Sequence, residues 1–164
     1  MENFVRILTV DVSVPSTVSV DWVGGGHDKV DLSGWIATGG SVLEILSKPS
    51  VFITAEVSEH GSSVAWEGDD DLRIDAVHLK ALADAQRPLD TQELVNWQSE
   101  VDLSNREAAD LLGVSLSTWN NYRAGMTVPT PVQMIIRAVK RDPIIMQAYF
   151  RPRRAGRPPK EARA

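Results

Sequence analysis

Residues 105–124, NREAADLLGVSLSTWNNYRA, decide how this chain is read. Their apolar members fall where two crossing helices must touch: Ala108, Leu112, Val114, Trp119 and Tyr122. Ala109 is small where the two helices come closest. Gly113 stands between them, where the turn needs a positive φ that costs a glycine nothing. The spacing predicts a helix, a glycine turn and a second helix. That is the helix-turn-helix pattern, whose second helix lies in the major groove of DNA.

The flanking sequence is helical and well punctuated. Asp90 with Glu93, Ser104 with Glu107, and Thr130 with Gln133 each have capping-box spacing. Thr130 and Asp142 precede Pro131 and Pro143, as N-caps precede first-turn prolines. A first helix is expected over about 91–101, with Leu94, Trp97 and Val101 on its core side. A fourth is expected over about 131–140, burying Val132, Ile135, Ile136 and Val139. A fifth begins near Pro143 and contains Ile145, Ala148 and Tyr149.

Residues 105–124 resemble the helix-turn-helix of lambda-repressor-like (Xre-type) bacterial and phage regulators, and each contact position named above matches that motif. The following AGMTVPTPVQMIIRAV fits as well, since the family typically has a glycine, a proline a few residues on, and another amphipathic helix. The resemblance covers roughly residues 89–150 and implies five short helices around one core. Many family members carry an acidic residue near the end of the recognition helix, where this chain has Arg123.

Residues 1–88 read differently. Stretches 3–10 and 16–23 alternate as strands, and Asp11 is expected to end the first. Gly24–Gly26 form a flexible hairpin connection to a third strand near 28–32. SVLEILSKP, 41–49, reads as a short helix closed by Pro49. VFITAEVSE and SSVAWEG read as a hairpin around His60 and Gly61, and a strand DLRID leads into a helix AVHLKALADA. AQRPLD, 85–90, is the expected linker. VDVSVPSTVSVDWV, VDLSGWI and SVAWEGDDDLRIDAVHL are similar to a small bacterial α+β domain of unknown function. That domain sometimes precedes a lambda-repressor-like domain in DNA-binding proteins. The fold class expected is α+β: an antiparallel α+β domain over 1–88, then an all-α five-helix domain over 89–150.

The net charge of −5 hides an asymmetry. Residues 1–88 hold 6 Lys/Arg against 14 Asp/Glu, a net −8. Residues 89–150 hold 5 against 7, a net −2, and residues 151–164 hold 6 against 1, a net +5. The pattern is an acidic folded domain and a basic, disordered arm for nucleic acid. The tail segment RRAGRPPK resembles an AT-hook, with Ala155 where the first core arginine belongs. Arg153, Arg154, Arg157 and Lys160 are its candidate minor-groove or backbone contacts.

If Trp119 and Tyr122 face the core, the opposite face of their helix is legible. Leu116, Ser117, Asn120 and Asn121 become the candidate base contacts. Asparagine pairs bidentately with adenine, serine bonds several bases, and leucine touches a thymine methyl. Ser104 and Asn105 open a helix whose free N–H groups favour an anion. With Arg123, Thr127, Thr130 and Gln133 they are the candidate phosphate contacts; the alternative for Arg123 is that it stabilises the C-terminal end of its own helix.

Other chemistry has little footing. With no cysteine there is no disulfide framework or thiolate metal site. The glycines at 24–26 lack the context of a phosphate loop, and His27, His60 and His78 lack metal-ligand spacing. Asp69–Asp71 read as an acidic turn. No catalytic residue, cofactor or metal is expected. No apolar run reaches the length of a membrane span, and MENFVRILTVDV is not a signal peptide. The default is a bacterial cytoplasmic protein that binds double-stranded DNA as a homodimer, a transcriptional regulator. The alternative is an interaction module such as an antitoxin, whose acidic N-terminal domain covers a basic protein partner and whose DNA binding is autoregulatory.

Overall fold

The computed structural model describes residues 4–69 and 71–153. The fold is α+β, with two small antiparallel sheets and nine α-helices among the described residues. The chain divides into two compact units, Met1–Arg87 and Pro88–Ala164.

The first unit opens with β1 (Ile7–Ser13), β2 (Thr17–Trp22) and β3 (His27–Asp31), paired antiparallel in that order. Alternation sends Val18, Val20 and Trp22 inward and leaves Thr17, Ser19 and Asp21 on the outer face. Asp11 does not end β1. It sits opposite Ser19 on the polar face, where a charge costs nothing, and pairing continues to Ser13. A register shift between Ile7 and Thr9 leaves Leu8 exposed. Gly25 and Gly26 supply the positive φ values of the β2–β3 turn.

The stretch after β3 departs from expectation. Instead of one helix over 41–49 there are α1 (Ser33–Thr38), α2 (Gly40–Glu44), a 3-10 turn Ile45–Ser47, and α3 (Pro49–Phe52). Pro49 does not close a helix; it opens α3 at the first position, where its missing N–H is not needed. That takes Val51 and Phe52 out of the expected strand and into the core. Only β4 (Glu56–Val57) remains of it, paired with β5 (Ser63–Ala65), which pairs with β6 (Arg73–Asp75).

The β4–β5 connection carries His60 and Gly61 at φ 64° and 70°. A Cβ on Gly61 would collide with the Ile7 carbonyl, so this turn packs on β1 only with glycine there. Asp69 forms an acidic turn before β6, its carboxylate accepting the Asp71 N–H at 2.9 Å. Asp70 of that expected turn lies outside the described residues. Helix α4 (Ala76–Gln86) closes the unit and buries Ala76, Leu79 and Ala83. The centre of this core is Trp66, whose ring stacks on Phe52 and whose Nε1–H donates to the Phe52 carbonyl.

The second unit is all-α: α5 (Thr91–Glu100), α6 (Asn105–Leu112), α7 (Leu116–Arg123), α8 (Thr130–Arg141) and α9 (Pro143–Tyr149). Asp90 and Ser104 form complete capping boxes with Glu93 and Glu107. Thr130 and Gln133 do not. The cap position of α8 is Pro129, and Thr130 is already helical. Gln133 instead accepts the Leu89 N–H and donates to the Val128 carbonyl, fastening both ends of loops that pass it. Asp142 caps α9 through the Ile144 N–H. On α8, Val132, Ile136 and Val139 are buried, but Ile135 faces outward. On α9, Ile145 packs against the core with Met146 and the following Phe150, while Ala148 and Tyr149 are exposed.

Candidate nucleic-acid interface

Everything at the candidate site depends on how α6 turns into α7. Gly113 adopts the left-handed conformation, φ 69° and ψ 29°. Its N–H bonds to the Asp110 carbonyl, and the Val114 N–H reaches back to the Ala109 carbonyl at 3.0 Å. These two bonds close the helix C-terminus, and half-buried Val114 joins the core beside it. Ser115 then caps α7 by accepting the Thr118 N–H at 3.0 Å. This cap was not foreseen from sequence, although a serine followed three residues later by threonine is a legible signal.

Ala108 and Trp119 are fully buried, and Ala109, Leu112 and Tyr122 nearly so. The Trp119 ring meets Trp97 edge-on at 6.0 Å between centroids. With Trp119 and Tyr122 inward, α7 presents Ser117, Asn120 and Asn121 as exposed side chains, and Leu116 is half-buried at the helix start. Among the described residues these three polar side chains make no hydrogen bond. Their donors and acceptors are open, as base recognition requires.

The six expected phosphate contacts separate into two groups. Ser104, Thr127 and Thr130 are exposed. Asn105, Arg123 and Gln133 are half-buried, and their side chains are engaged inside the fold. Asn105 Oδ1 accepts Gln98 Nε2 at 3.0 Å, Trp119 Nε1 at 3.1 Å and Arg123 Nη1 at 2.8 Å. Gln98, which sequence reasoning missed, also donates to the Leu103 carbonyl. Nothing in residue type separates Gln98 from Gln92 on the same helix.

The tail was expected to begin beyond the fold at residue 151. Arg153 instead lies against α6, and Arg151 donates to the Ala148 and Phe150 carbonyls. The Arg153 N–H donates to Glu107 Oε1, while Glu107 Oε2 accepts the Ser104 N–H of the capping box. Glu107 is thereby almost wholly buried. Arg153 also forms a two-point ion pair with Asp110, at 2.7 and 3.0 Å. The hydrogen bond from Arg153 holds the Asp110 carboxyl below its usual range, and the same bond raises Arg153. Arg154, Arg157 and Lys160 lie outside the described residues.

Among the described residues no group of acidic and histidine side chains could hold a metal ion, and no helix is long and apolar enough to cross a membrane. No family model and no curated protein matches the chain. Among solved structures it resembles that of "Putative DNA Binding Protein NE0471 from Nitrosomonas europaea ATCC 19718". The two are 21% identical, the match covers 84% of this chain and 87% of that one, and the TM-score is 0.46. Nothing about this chain's function follows from a likeness at that level.

Proposed function

We propose that the chain is a sequence-specific DNA-binding protein, a small bacterial transcriptional regulator of the lambda-repressor-like kind. Helix α7 would read the major groove, and the chain would carry no enzymatic activity. One observation carries this reading. Two short helices joined by a left-handed glycine bury Trp119 and Tyr122 and leave Ser117, Asn120 and Asn121, on the opposite face of α7, without a side-chain hydrogen bond among the described residues. Leu116, half-buried at the helix start, would touch a thymine methyl. Ser104, Thr127 and Thr130 are exposed and would meet phosphate, Ser104 only through its hydroxyl proton, since its Oγ caps α6 and its N–H is held by Glu107. A second copy of the chain would supply the second half-site.

The acidic character of residues 1–88 favours a second reading, in which that unit covers a basic protein and DNA binding is autoregulatory. Selection from a randomised duplex library with the full-length protein tests the first reading. Enrichment of one short motif, lost on substitution of Asn120 and Asn121, is the expected result. Retention of all duplexes alike, or of none, would remove it.

A further inference from the structure

We propose that Asn105 is the positioning residue of α7 and that Arg123 acts through it rather than on a phosphate. The proposal rests on the DNA-reading role just assigned to α7. Trp119 and Arg123 are four residues apart, so they lie on the same side of α7 about one turn apart. Both donate to the same oxygen, Asn105 Oδ1, on the first residue of α6. Gln98 donates to that oxygen from α5. One acceptor therefore joins three helices.

Two bonds one turn apart fix α7 against both sliding and rotation. A helix turns about 100° per residue, so holding Trp119 and Arg123 sets the direction of Asn120 and Asn121 on the far side. The amide of Asn105 has one orientation available. Flipped by 180°, it would set its NH2 group against three donors. Each tie is defined by a donor and an acceptor, not by shape alone, so the geometry is specific in a way that packing around Trp119 is not.

Arg123 is unsuited to a second role on phosphate. It is half-buried, its Nη1 is turned to Asn105, and its Nε is shut away from solvent with no partner among the described residues. A residue held this way orients the helix that carries it.

The test uses full-length protein and the duplex enriched from the randomised library, against duplexes carrying single base changes within the motif. Asn105→Leu keeps the side-chain size and removes the acceptor. It is expected to lower discrimination between matched and mismatched duplexes by about fivefold or more. Arg123→Ala should lose discrimination to a similar extent, and the double variant should be no worse than the poorer single one. Asn105→Asp keeps the oxygen and should restore discrimination.

Wild-type discrimination in Asn105→Leu would overturn the proposal. So would an Arg123→Ala variant that loses affinity for all duplexes equally with its salt slope reduced by about one, which is the mark of a phosphate contact. The Trp119 indole N–H resonance reports the hub without DNA. It should move in Asn105→Leu and return in Asn105→Asp; an unmoved resonance also overturns the proposal. If the wild type selects no motif while the resonance behaves as stated, it is the DNA-reading role that has failed and not the hub.

Discussion

Each unit ties a core tryptophan and a cation to a single side-chain oxygen, with opposite electrostatics. In the first, Asp28 Oδ2 accepts the Trp22 indole N–H at 2.6 Å and Lys80 Nζ at 2.8 Å. Lys80 also lies 5.3 Å from the Trp22 ring centroid and 3.1 Å from Asp84. In the second, Asn105 Oδ1 accepts the Trp119 indole N–H and the Arg123 guanidinium. A carboxylate neutralises its cation, and an amide does not. The first unit cancels a positive charge to fasten α4 onto its sheet. The second keeps one on the last residue of α7, the helix proposed to meet a polyanion, in a unit whose own net charge over 89–150 is −2.

The first way to break this comparison is to ask whether packing, rather than either polar tie, dominates. Trp119→Ala should destabilise the second unit by about 3–5 kcal/mol, because the ring is fully buried and a cavity would remain. Thermal or urea melting measures it. A variant that melts like its parent but no longer binds DNA would place Trp119 on the groove face and reverse the assigned sides of α7.

The next prediction separates the tie from what it positions. Asn121→Ala should cost about 1–3 kcal/mol of binding to the selected duplex and leave unrelated DNA almost unaffected. Equal losses on both duplexes would make Asn121 a backbone or structural residue. Trp119 and Asn121 are neighbours on α7, yet one change should act on stability and the other on recognition.

The basic arm expected from the charge pattern has its own measurement. Arg154, Arg157, Lys160 and Arg163 follow the docked Arg153. Removing residues 154–164 should lower affinity for all sequences and flatten the salt dependence, by up to about 0.9 for each phosphate that is no longer neutralised. Base preference should survive. The cut falls after Arg153 because Arg153 belongs to the fold through Glu107 and Asp110. An unchanged salt slope would mean that the helical unit meets DNA unaided.

How much of this was legible follows from the range of the bonds. Asp90, Ser104, Gly113 and Asp142 each act within five residues of themselves, and each is visible as a residue type at a fixed offset. Hence α5 to α9 and the inward set of α7 could be read from sequence. The first unit offered a run, VLEILSKPSVFI, that suits short helices or a strand equally, and tertiary pairing decided between them. Ile135 shows the same limit inside a helix, since a period marks an apolar face without saying how wide the core beneath it is. The hub was not legible. Gln98, Asn105 and Arg123 lie on three different helices, and residue type alone does not say whether a polar side chain turns inward.

Acid should expose the contrast between carboxylate and amide. Burial would raise Asp28, but the hydrogen bonds from Lys80 and Trp22 outweigh it and leave its carboxyl below the ordinary 3.8. Its stabilising effect is therefore complete above that value and disappears as pH falls through the lowered one. Lys80, held up chiefly by its bond to Asp28, contributes below its ordinary 10.5 and loses that as pH rises through the raised value. In an NMR titration from neutral pH into acid, the Trp22 indole N–H should shift as Asp28 takes a proton. The Trp119 indole N–H should not, because Asn105 does not titrate. If both indoles move together before unfolding, the two ties are not chemically distinct.

The smallest expected effect lies within the second unit, at the ion pair between Arg153 and Asp110. Both side chains are about half exposed, so salt screens the pair and its contribution to stability is slight. The geometry separates two attachments of the same residue. The guanidinium is bound to Asp110, whereas the backbone N–H is bound to the buried Glu107. Arg153→Ala removes only the first. Its melting temperature should fall slightly below the parent's at low salt, and the gap should close at high salt. The gap should close again as pH falls through the lowered Asp110 value, since a carboxyl held below 3.8 stabilises above that range and ceases to when protonated. Arg153→Ala leaves the bonds between Asn105 and Arg123 in place, so its base discrimination at neutral pH and moderate salt should equal the parent's. A gap that persists in high salt and in acid would show that the arginine stem holds the segment by packing. The acid-sensitive charge pairing expected at Asp28 would then have no counterpart at Asp110.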